Sequence, residues 1–166
     1  MPNILDLKKR VALVTGAGQG VGRQVALHLA SNGAGGVVVN DFHLDRALAV
    51  VEEMFAKARE AFGPVDVLVN NAGNAGPTQD VADIKPFWET GPQDWATWLG
   101  TNFYGVLNCC KAALPNMMSR RYGRITTVIS DAGRVGEPHF AVYSGAKAGA
   151  AGFMRARPAP ALPITG

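Results

Sequence analysis

The sequence is poor in cysteine and contains no long apolar run. Its two cysteines, Cys109 and Cys110, are neighbours. Adjacent cysteines are a poor basis for a structural disulfide, so nothing indicates an oxidising compartment. No apolar stretch approaches the roughly 18 residues that cross a bilayer. The N-terminus, with its early Asp6, also lacks the basic-then-apolar layout of a signal peptide. We therefore expect a soluble, cytoplasmic protein without a membrane partner.

Charge is scarce as well, since 17% of the residues are charged and the net charge is only +3. The basic residues are scattered apart from two clusters, 8–10 and 120–121, each beside a predicted strand. This distribution gives little support to nucleic-acid binding. A length of 166 residues with 48% apolar composition is enough for one core. We predict a single domain over residues 1–166, with a proline-rich tail at 156–166.

Short β-branched runs alternate with helical patterns along the chain. Strands are predicted at 11–15, 36–41, 65–69 and 124–130. Helices are predicted at 23–33, at 44–62, and from Asp94, as the N-cap, to about Met118. Parallel neighbours in a sheet need crossover connections, which this alternation supplies. The pattern predicts an α/β fold with a doubly wound parallel sheet.

The first predicted strand runs into a glycine-rich turn that opens a helix. Such a turn directs backbone N–H groups and the positive end of a helix towards a pyrophosphate. The spacing is T-G-x-x-x-G-x-G, with Thr15, Gly16, Gly20 and Gly22, rather than the commoner G-x-G-x-x-G. An ordinary glycine turn is the alternative interpretation. The strand before the turn and the helix after it favour dinucleotide binding.

Asp41, at the end of the second predicted strand, favours NAD over NADP. A carboxylate accepts hydrogen bonds from the ribose 2′ and 3′ hydroxyls but repels a 2′-phosphate. Gln19, in the glycine turn, adds no positive charge that would offset this repulsion. The alternative for Asp41 is a solvated carboxylate at a strand end.

Tyr143 and Lys147 are four residues apart, so on a helix they share one face. A nearby ammonium favours phenolate over phenol, which a tyrosine needs if it is to act as an acid/base at neutral pH. The pair alone is a weak signal. It gains weight from Ser130, at the carboxyl end of the fourth predicted strand, where ligands bind in open α/β sheets.

Together these residues resemble the short-chain dehydrogenase/reductase family, in order and in spacing. The match spans about residues 11–155 and rests on the turn 15–22, Asn70-Asn71-Ala72-Gly73, Asn102, Ser130 and Tyr143-x-x-x-Lys147. The resemblance implies a Rossmann-like sheet. It also implies hydride transfer between a nicotinamide cofactor and a secondary alcohol or ketone. The stretch 130–153 looks most like members that act on acyl thioesters, the 3-oxoacyl reductases and hydroxyacyl-CoA dehydrogenases.

The resemblance implies a role for each matching residue. Tyr143 would be the general acid/base, Lys147 would hold the nicotinamide ribose, Ser130 would orient the substrate oxygen and Asn102 would fix a water. The cofactor would lie against Thr15, Gly16, Gly18, Gln19, Gly20, Val21, Gly22, Asp41, Asn71, Ala72, Gly73, Tyr143 and Lys147. No metal is implied. The alternative is purely structural: a strand-end Ser130, an Asn102 that only bends its helix and a Tyr143 at a packing seam.

The sequence departs from the family pattern in two places. Family members have a further helix and strand between positions 41 and 70, whereas this stretch holds one helix and one strand. After Phe153 the family continues with more of the sheet, but Arg157-Pro158 is expected to stop the helix here. We therefore expect about four strands, in the order 2-1-4-5 by family numbering of the strands, with two open edges.

Family members commonly dimerise through the helix that starts near Asp94 and the helix that carries Tyr143. Small residues on the second helix would let a partner helix approach closely, and we therefore expect a homo-oligomer. These small residues are Ala146, Ala148, Gly149, Ala151 and Gly152.

Three hypotheses of function remain open from the sequence. The first is an NAD-dependent oxidoreductase. The second is a catalytically impaired dinucleotide-binding module that acts through binding or oligomerisation. The third is a truncated product without a function of its own, for which the proline-rich tail is the main support.

Overall fold

The computed structural model describes residues 5–40, 47–74 and 84–156, with side chains from residue 51 onwards in the second range. Its strands are β1 (Val11–Thr15), β2 (Gly36–Asn40), β3 (Val67–Asn70) and β4 (Arg124–Thr127). Its helices are α1 (Gly20–Ser31), α2 (Ala47–Phe62), α3 (Pro92–Leu99), α4 (Gly105–Ser119), α5 (Ala132–Val135) and α6 (Ala141–Arg155). A 3₁₀ turn (Phe87–Glu89) precedes α3, and a π-helical segment (Gly100–Tyr104) joins α3 to α4.

The four strands form one parallel sheet in the order β2-β1-β3-β4. Leu13, at the centre of β1, pairs with Val38 on one side and Leu68 on the other. Every residue of β1 is buried, as an apolar central strand of a parallel sheet should be. The predicted α/β architecture and the expected order of four strands are both confirmed, and one helix does cross from β2 to β3.

The two faces of the sheet are covered unequally. On one face, Val14 and Val69 pack with Ala26 of α1. On the other, Leu13 and Leu68 belong to a larger core with α2, α4 and α6. Neighbouring residues of a strand point to opposite faces, so Leu13 and Val14 serve these two cores. The larger core fixes α4, which follows directly on the segment that contains Asn102, and α6, which carries Lys147.

The long helix predicted from Asp94 has a different start and is interrupted. Gly91 is the N-cap, and the Asp94 carboxylate lies in the first turn and accepts a hydrogen bond from Gly91 N at 2.9 Å. Pro92 takes the first helical position, where a missing N–H costs nothing, so the helix begins earlier than predicted. The π-helical segment then separates α3 from α4, which reaches Ser119.

The fourth strand is shorter than predicted, because β4 ends at Thr127. Val128 N still donates to Asn70 O of β3 at 2.9 Å, but Val128 O accepts from the Lys147 ammonium instead of a strand. In the described part of the chain, β2 and β4 have no further strand beside them. No helix among the described residues combines the length and apolar character needed to span a membrane.

Candidate functional site

The glycine turn between β1 and α1 is tightly packed against the loop that follows β3. Gly16 has φ +61°, and a Cβ there would lie 2.7 Å from Ala72 Cα. A Cβ on Gly22 would overlap Asn71 Nδ2 and Gly16 O and lie 3.0 Å from Ala17 Cα. Only glycine fits both positions, because a Cβ cannot approach heavy atoms this closely.

Thr15 and Asn71 hold the two loops together. Thr15 Oγ1 donates to Val69 O at 3.4 Å and accepts from the backbone N–H groups of Asn71 and Ala72, both at 3.1 Å. Asn71 Nδ2 donates to the carbonyls of Thr15 and Gly16, both at 3.0 Å. The start of α1 has no side-chain cap at Gln19. Its first N–H groups therefore have no internal side-chain acceptor there and suit a phosphate.

Asn102 lies in the π-helical segment and is 1% exposed. Its Nδ2 donates to Asn74 O at 2.9 Å and to Trp98 O at 3.0 Å. Its Oδ1 is buried without a hydrogen-bond partner among the described residues. Buried polar atoms are nearly always paired, so this oxygen is a candidate acceptor for a water or ligand.

Lys147 and Asn102 approach the same backbone position on the loop after β3. A Cβ placed on Gly73 would lie 3.0 Å from Asn102 Oδ1 and 3.1 Å from Lys147 Nζ. The ammonium also donates to Val128 O at 3.0 Å, which ties α6 to the end of β4. The fold thus brings three sequence-predicted residues together at this point.

Tyr143 lies on α6 as predicted, with Lys147 Nζ 5.9 Å from the centre of its ring. The ring of Phe140 meets that of Tyr143 edge to face at 6.2 Å. Ser130 lies two residues beyond Val128, in the turn before α5, where its Oγ accepts from Ala132 N at 3.2 Å. Ser130 therefore follows directly on the strand end to which Lys147 is bonded.

Burial lowers the pKa of Lys147 from its ordinary value of 10.5. The side chain is 5% exposed, and an ammonium loses favourable hydration in such surroundings. The one hydrogen bond that Lys147 makes to a described residue is to a neutral carbonyl, which offsets only part of this loss. An additional hydrogen-bonding group, such as a ribose hydroxyl, would suit this ammonium.

Sequence reasoning missed three contributors to this arrangement. Asn74 supplies the carbonyl that holds Asn102, and Val128 supplies the carbonyl that holds Lys147. A Cβ on Gly133 would lie 2.8 Å from Lys147 Cβ, so a larger residue there would push α6 away. The two carbonyls have no signal in a sequence, whereas a glycine three residues after Ser130 could have been noticed.

The two cysteines of α4 are both free and buried. Burial, with the neighbouring Cys110, raises the pKa of Cys109 to about 12, and burial also raises the pKa of Cys110. Both side chains are therefore thiols at neutral pH and poor nucleophiles.

The described residues fit a dinucleotide. Within the turn from Gly16 to Gly22, the residues Gly18, Gln19 and Gly20 are exposed, and Val21 is 67% exposed. Asn71, Ala72 and Gly73 lie along this turn and end beside Lys147. Asp41 falls outside the described residues, as does the proline-rich stretch from 157 onwards, so the ribose contact and the tail stay predictions.

Comparison with known proteins identifies this arrangement with one class. The short chain dehydrogenase family model matches residues 42–160. The 3-oxoacyl-acyl-carrier-protein reductase FabG of Staphylococcus epidermidis is 35% identical over 87% of this chain and 66% of its own length.

Two solved structures are also similar. One is described as a putative short-chain alcohol dehydrogenase from Sinorhizobium meliloti. It superposes with a TM-score of 0.80 and 30% sequence identity, and the match covers 93% of this chain and 67% of that chain. The other, a variant actinorhodin polyketide ketoreductase with NADPH, has a TM-score of 0.78, 32% identity and coverage of 89% and 63%.

The fold and site define an open parallel α/β domain of the dinucleotide-binding class. More narrowly, the chain belongs to the short-chain dehydrogenase/reductase family. It spans about two thirds of the length of the FabG relative that it matches.

Proposed function

We propose that the protein is an NAD(P)-dependent oxidoreductase that moves hydride between a nicotinamide cofactor and a secondary alcohol or ketone. The observation that carries this proposal is the convergence of Lys147 Nζ and Asn102 Oδ1 beside Gly73, with Tyr143 on the same helix face as Lys147. Asn102 Oδ1 is buried without a hydrogen-bond partner among the described residues, which supports a role in holding a water or ligand over a purely structural one.

The cofactor would be held at the carboxyl ends of β1 and β3. The open N–H groups at the start of α1 suit its pyrophosphate. Asn71, Ala72 and Gly73 would line the adenosine side, and Lys147 would hold the nicotinamide ribose. A bound nicotinamide supplies or accepts the hydride.

The protein's own groups would handle the proton. Tyr143 would donate a proton to the substrate oxygen in the reductive direction and take it back in the oxidative one. Ser130 would orient that oxygen. Asn102 Oδ1 has no hydrogen-bond partner within the part of the chain that the structure describes and lies near the Lys147 ammonium, so it would hold a water that passes protons between Lys147 and solvent.

Asp41 supports NAD rather than NADP, because its carboxylate would repel a 2′-phosphate. The solved ketoreductase with NADPH shows that a related protein takes the phosphorylated cofactor, so the two must be compared directly. We expect Asp41→Ala to lower the ratio of the Kd for NADPH to the Kd for NADH by about tenfold or more. Asp45→Ala, in the same stretch, is the matched control and should leave the ratio of the two Kd values unchanged.

For the substrate we propose a 3-hydroxyacyl or 3-oxoacyl thioester. The 130–153 stretch supports this class, and the FabG relative acts on 3-oxoacyl groups according to its name.

We also propose a homo-oligomer. Ala146 is buried within the chain itself, and a Cβ placed on Gly149 would lie 3.3 Å from the Phe103 ring. A partner helix would therefore contact the remaining small residues, Ala148, Ala151 and Gly152.

A binding module without turnover is the second candidate. Val128 is 37% exposed and Ile129 is 50% exposed, directly before Ser130. Hydride transfer benefits from the exclusion of water, whereas water reaches this strand end. Cofactor binding at the glycine turn does not require water to be excluded from the strand end.

A turnover assay with a panel of 3-oxoacyl and 3-hydroxyacyl thioesters distinguishes the two candidates. Oxidation or reduction of the cofactor, followed by absorbance of NADH, supports the oxidoreductase. Saturable NADH binding with no turnover of any thioester or simple secondary alcohol refutes the oxidoreductase and favours the binding module.

A further inference from the structure

The fold brings together two basic clusters that lie far apart along the chain. Residues 8–10 precede β1, and residues 120–124 run into β4. Backbone hydrogen bonds connect these two strand starts through β3, since Asp66 N donates to Val11 O at 2.8 Å and Arg124 N donates to Asp66 O at 2.9 Å. The clusters therefore share one edge of the sheet, at the amino ends of the strands and opposite the glycine turn.

Positive charge is concentrated at this edge, which we call the basic edge and define as residues 6–10, 65–66 and 120–124. It contains six basic side chains and two carboxylates, an excess of four positive charges, whereas the whole chain carries only +3. Asp66 already accepts from Arg120 and from a backbone N–H, and Asp6 accepts from Lys8 N at 2.8 Å. Since the rest of the chain is slightly negative, an anion is attracted to this edge in particular.

Arg10 is held at the basic edge by an aromatic ring rather than by an acid. Its guanidinium carbon lies 3.7 Å from the centre of the Tyr122 ring. The Arg10 side chain makes no hydrogen bond or ion pair with any described residue. Stacking uses the face of a guanidinium and leaves its N–H donors in the plane, where they match the oxygens of a phosphate. The guanidinium of Arg124 lies 5.2 Å from the same ring, which suits an anion with more than one phosphate.

Three exposed basic residues of this edge have left-handed backbone. The φ angles are 51° at Lys8, 60° at Lys9 and 54° at Arg121. Arg121 directly follows the C-cap of α4, a position at which glycine is usual. Such conformations cost free energy in residues other than glycine and cluster at functional sites. Glycine would avoid this strain, so a binding role explains why basic side chains stand there.

We propose that the basic edge binds an inorganic oligophosphate, whose oxygens accept hydrogen bonds from the Arg10 guanidinium. Arg121 and Arg124 supply further positive charge around the same anion. The Tyr122 ring is already stacked with Arg10, so the phosphate chain itself, rather than an attached base, is the recognised group. The site lies at the opposite ends of the strands from the proposed cofactor, and it requires neither a bound dinucleotide nor turnover.

Inorganic tripolyphosphate is the probe, titrated into the full chain by isothermal titration calorimetry at about physiological ionic strength. We expect one saturable site on the wild type. Arg10→Met keeps a long side chain that can cover the Tyr122 ring but removes the N–H donors, so the Kd should rise about five- to tenfold. Lys111→Met is the matched control, because Lys111 is exposed on α4 outside the basic edge. It should leave the Kd within about twofold of the wild-type value.

Arg121→Gly tests the strained backbone. Glycine adopts positive φ without strain, so this variant should unfold at a higher temperature than the wild type and yet bind tripolyphosphate about three- to fivefold more weakly. His139→Gly is its control, because His139 has φ 68° and is exposed outside the basic edge. It should also unfold at a higher temperature, with the wild-type Kd.

The proposal is overturned if the wild type binds no tripolyphosphate, or if Arg10→Met and Lys111→Met change the Kd equally. It is also overturned if Arg121→Gly binds as tightly as the wild type. Circular dichroism shows whether each variant is folded. Should Arg10→Met not fold, Arg121→Gly and its control decide the matter.

Saturating NADH should leave the Kd for tripolyphosphate unchanged, because the two sites lie at opposite ends of the strands. Competition between the two would place the anion at the glycine turn and overturn the proposal. A chain that binds no NADH can still bind tripolyphosphate at the basic edge. The proposed oxidoreductase and the proposed anion site can therefore fail separately.

Discussion

The two ends of the candidate site are held in different ways. At the glycine turn, Thr15 is buried and makes three hydrogen bonds, and Asn71 closes the loop against Gly16 and Gly22. At the end of β4, the backbone passes from the sheet to Ser130 through residues that are substantially exposed. The end proposed to bind the nucleotide therefore depends on internal packing, whereas the end proposed for catalysis depends on an edge strand of the described sheet and on one lysine bonded to a carbonyl.

This difference predicts that changes at the catalytic end affect turnover with little effect on folding. Changes at the glycine turn should affect folding and cofactor binding together.

The largest expected effect is on turnover. Tyr143→Phe removes the proposed proton donor and should lower kcat by about 10²- to 10⁴-fold, with the Kd for NADH within about twofold of the wild type. Tyr122→Phe is the matched control, because Tyr122 stacks with Arg10 at 3.7 Å, beyond the amino end of β4. Equal activity of the two variants would refute the role of Tyr143.

Gly22→Ala tests the packing of the glycine turn. The added Cβ would meet two backbone groups that cannot move aside, so we expect the free energy of unfolding to fall by about 3 kcal/mol. NADH affinity should fall with it. Gly145→Ala is the control, because it lies exposed on α6 with open space around a Cβ and should stabilise by about 0.5–1 kcal/mol. A Gly22→Ala variant as stable as the wild type would contradict this packing.

Thr15→Val tests the hydrogen bonds at the same end. The change keeps the side-chain shape but leaves the N–H groups of Asn71 and Ala72 without their acceptor, so we expect a loss of about 2 kcal/mol in chemical denaturation. Thr126→Val, on the exposed part of β4, should change stability by less than about 0.5 kcal/mol. Similar effects of the two substitutions would mean that the two ends are held alike.

The smallest expected effect is a dependence on pH at the catalytic end. Because burial lowers the pKa of Lys147, the unfolded chain binds more protons there than the folded chain between that lowered pKa and 10.5. The free energy of unfolding attributable to Lys147 should therefore rise with pH across this window and be lowest below it. The difference in unfolding free energy between wild type and Lys147→Met, measured at several alkaline pH values, should show this rise. A flat difference would contradict the burial of the ammonium.

Much of the sheet could be predicted from the sequence, because β1 is apolar throughout and the glycine turn separates it from α1. The spacing of Tyr143 and Lys147 also predicted correctly that they share one helix. The π-helical segment was not predictable, since Asn102 in it donates to the carbonyls of Asn74 and Trp98, and backbone carbonyls carry no sequence signal. The start of α3 was misjudged because Pro92 and Gly91 outweigh Asp94 as a signal for the first turn.

The backbone partners of the site were also beyond the sequence. Val128 O and Asn74 O hold Lys147 and Asn102 through groups that every residue possesses.

The most direct test of the account is the Kd for NADH of the wild type and of Ser130→Ala, measured by isothermal titration calorimetry on chains shown to be folded by circular dichroism. We predict saturable binding of one NADH per chain, with the two Kd values within about twofold of each other, because the glycine turn is held independently of the strand end. A folded wild-type chain that binds no NADH would contradict the account at its centre.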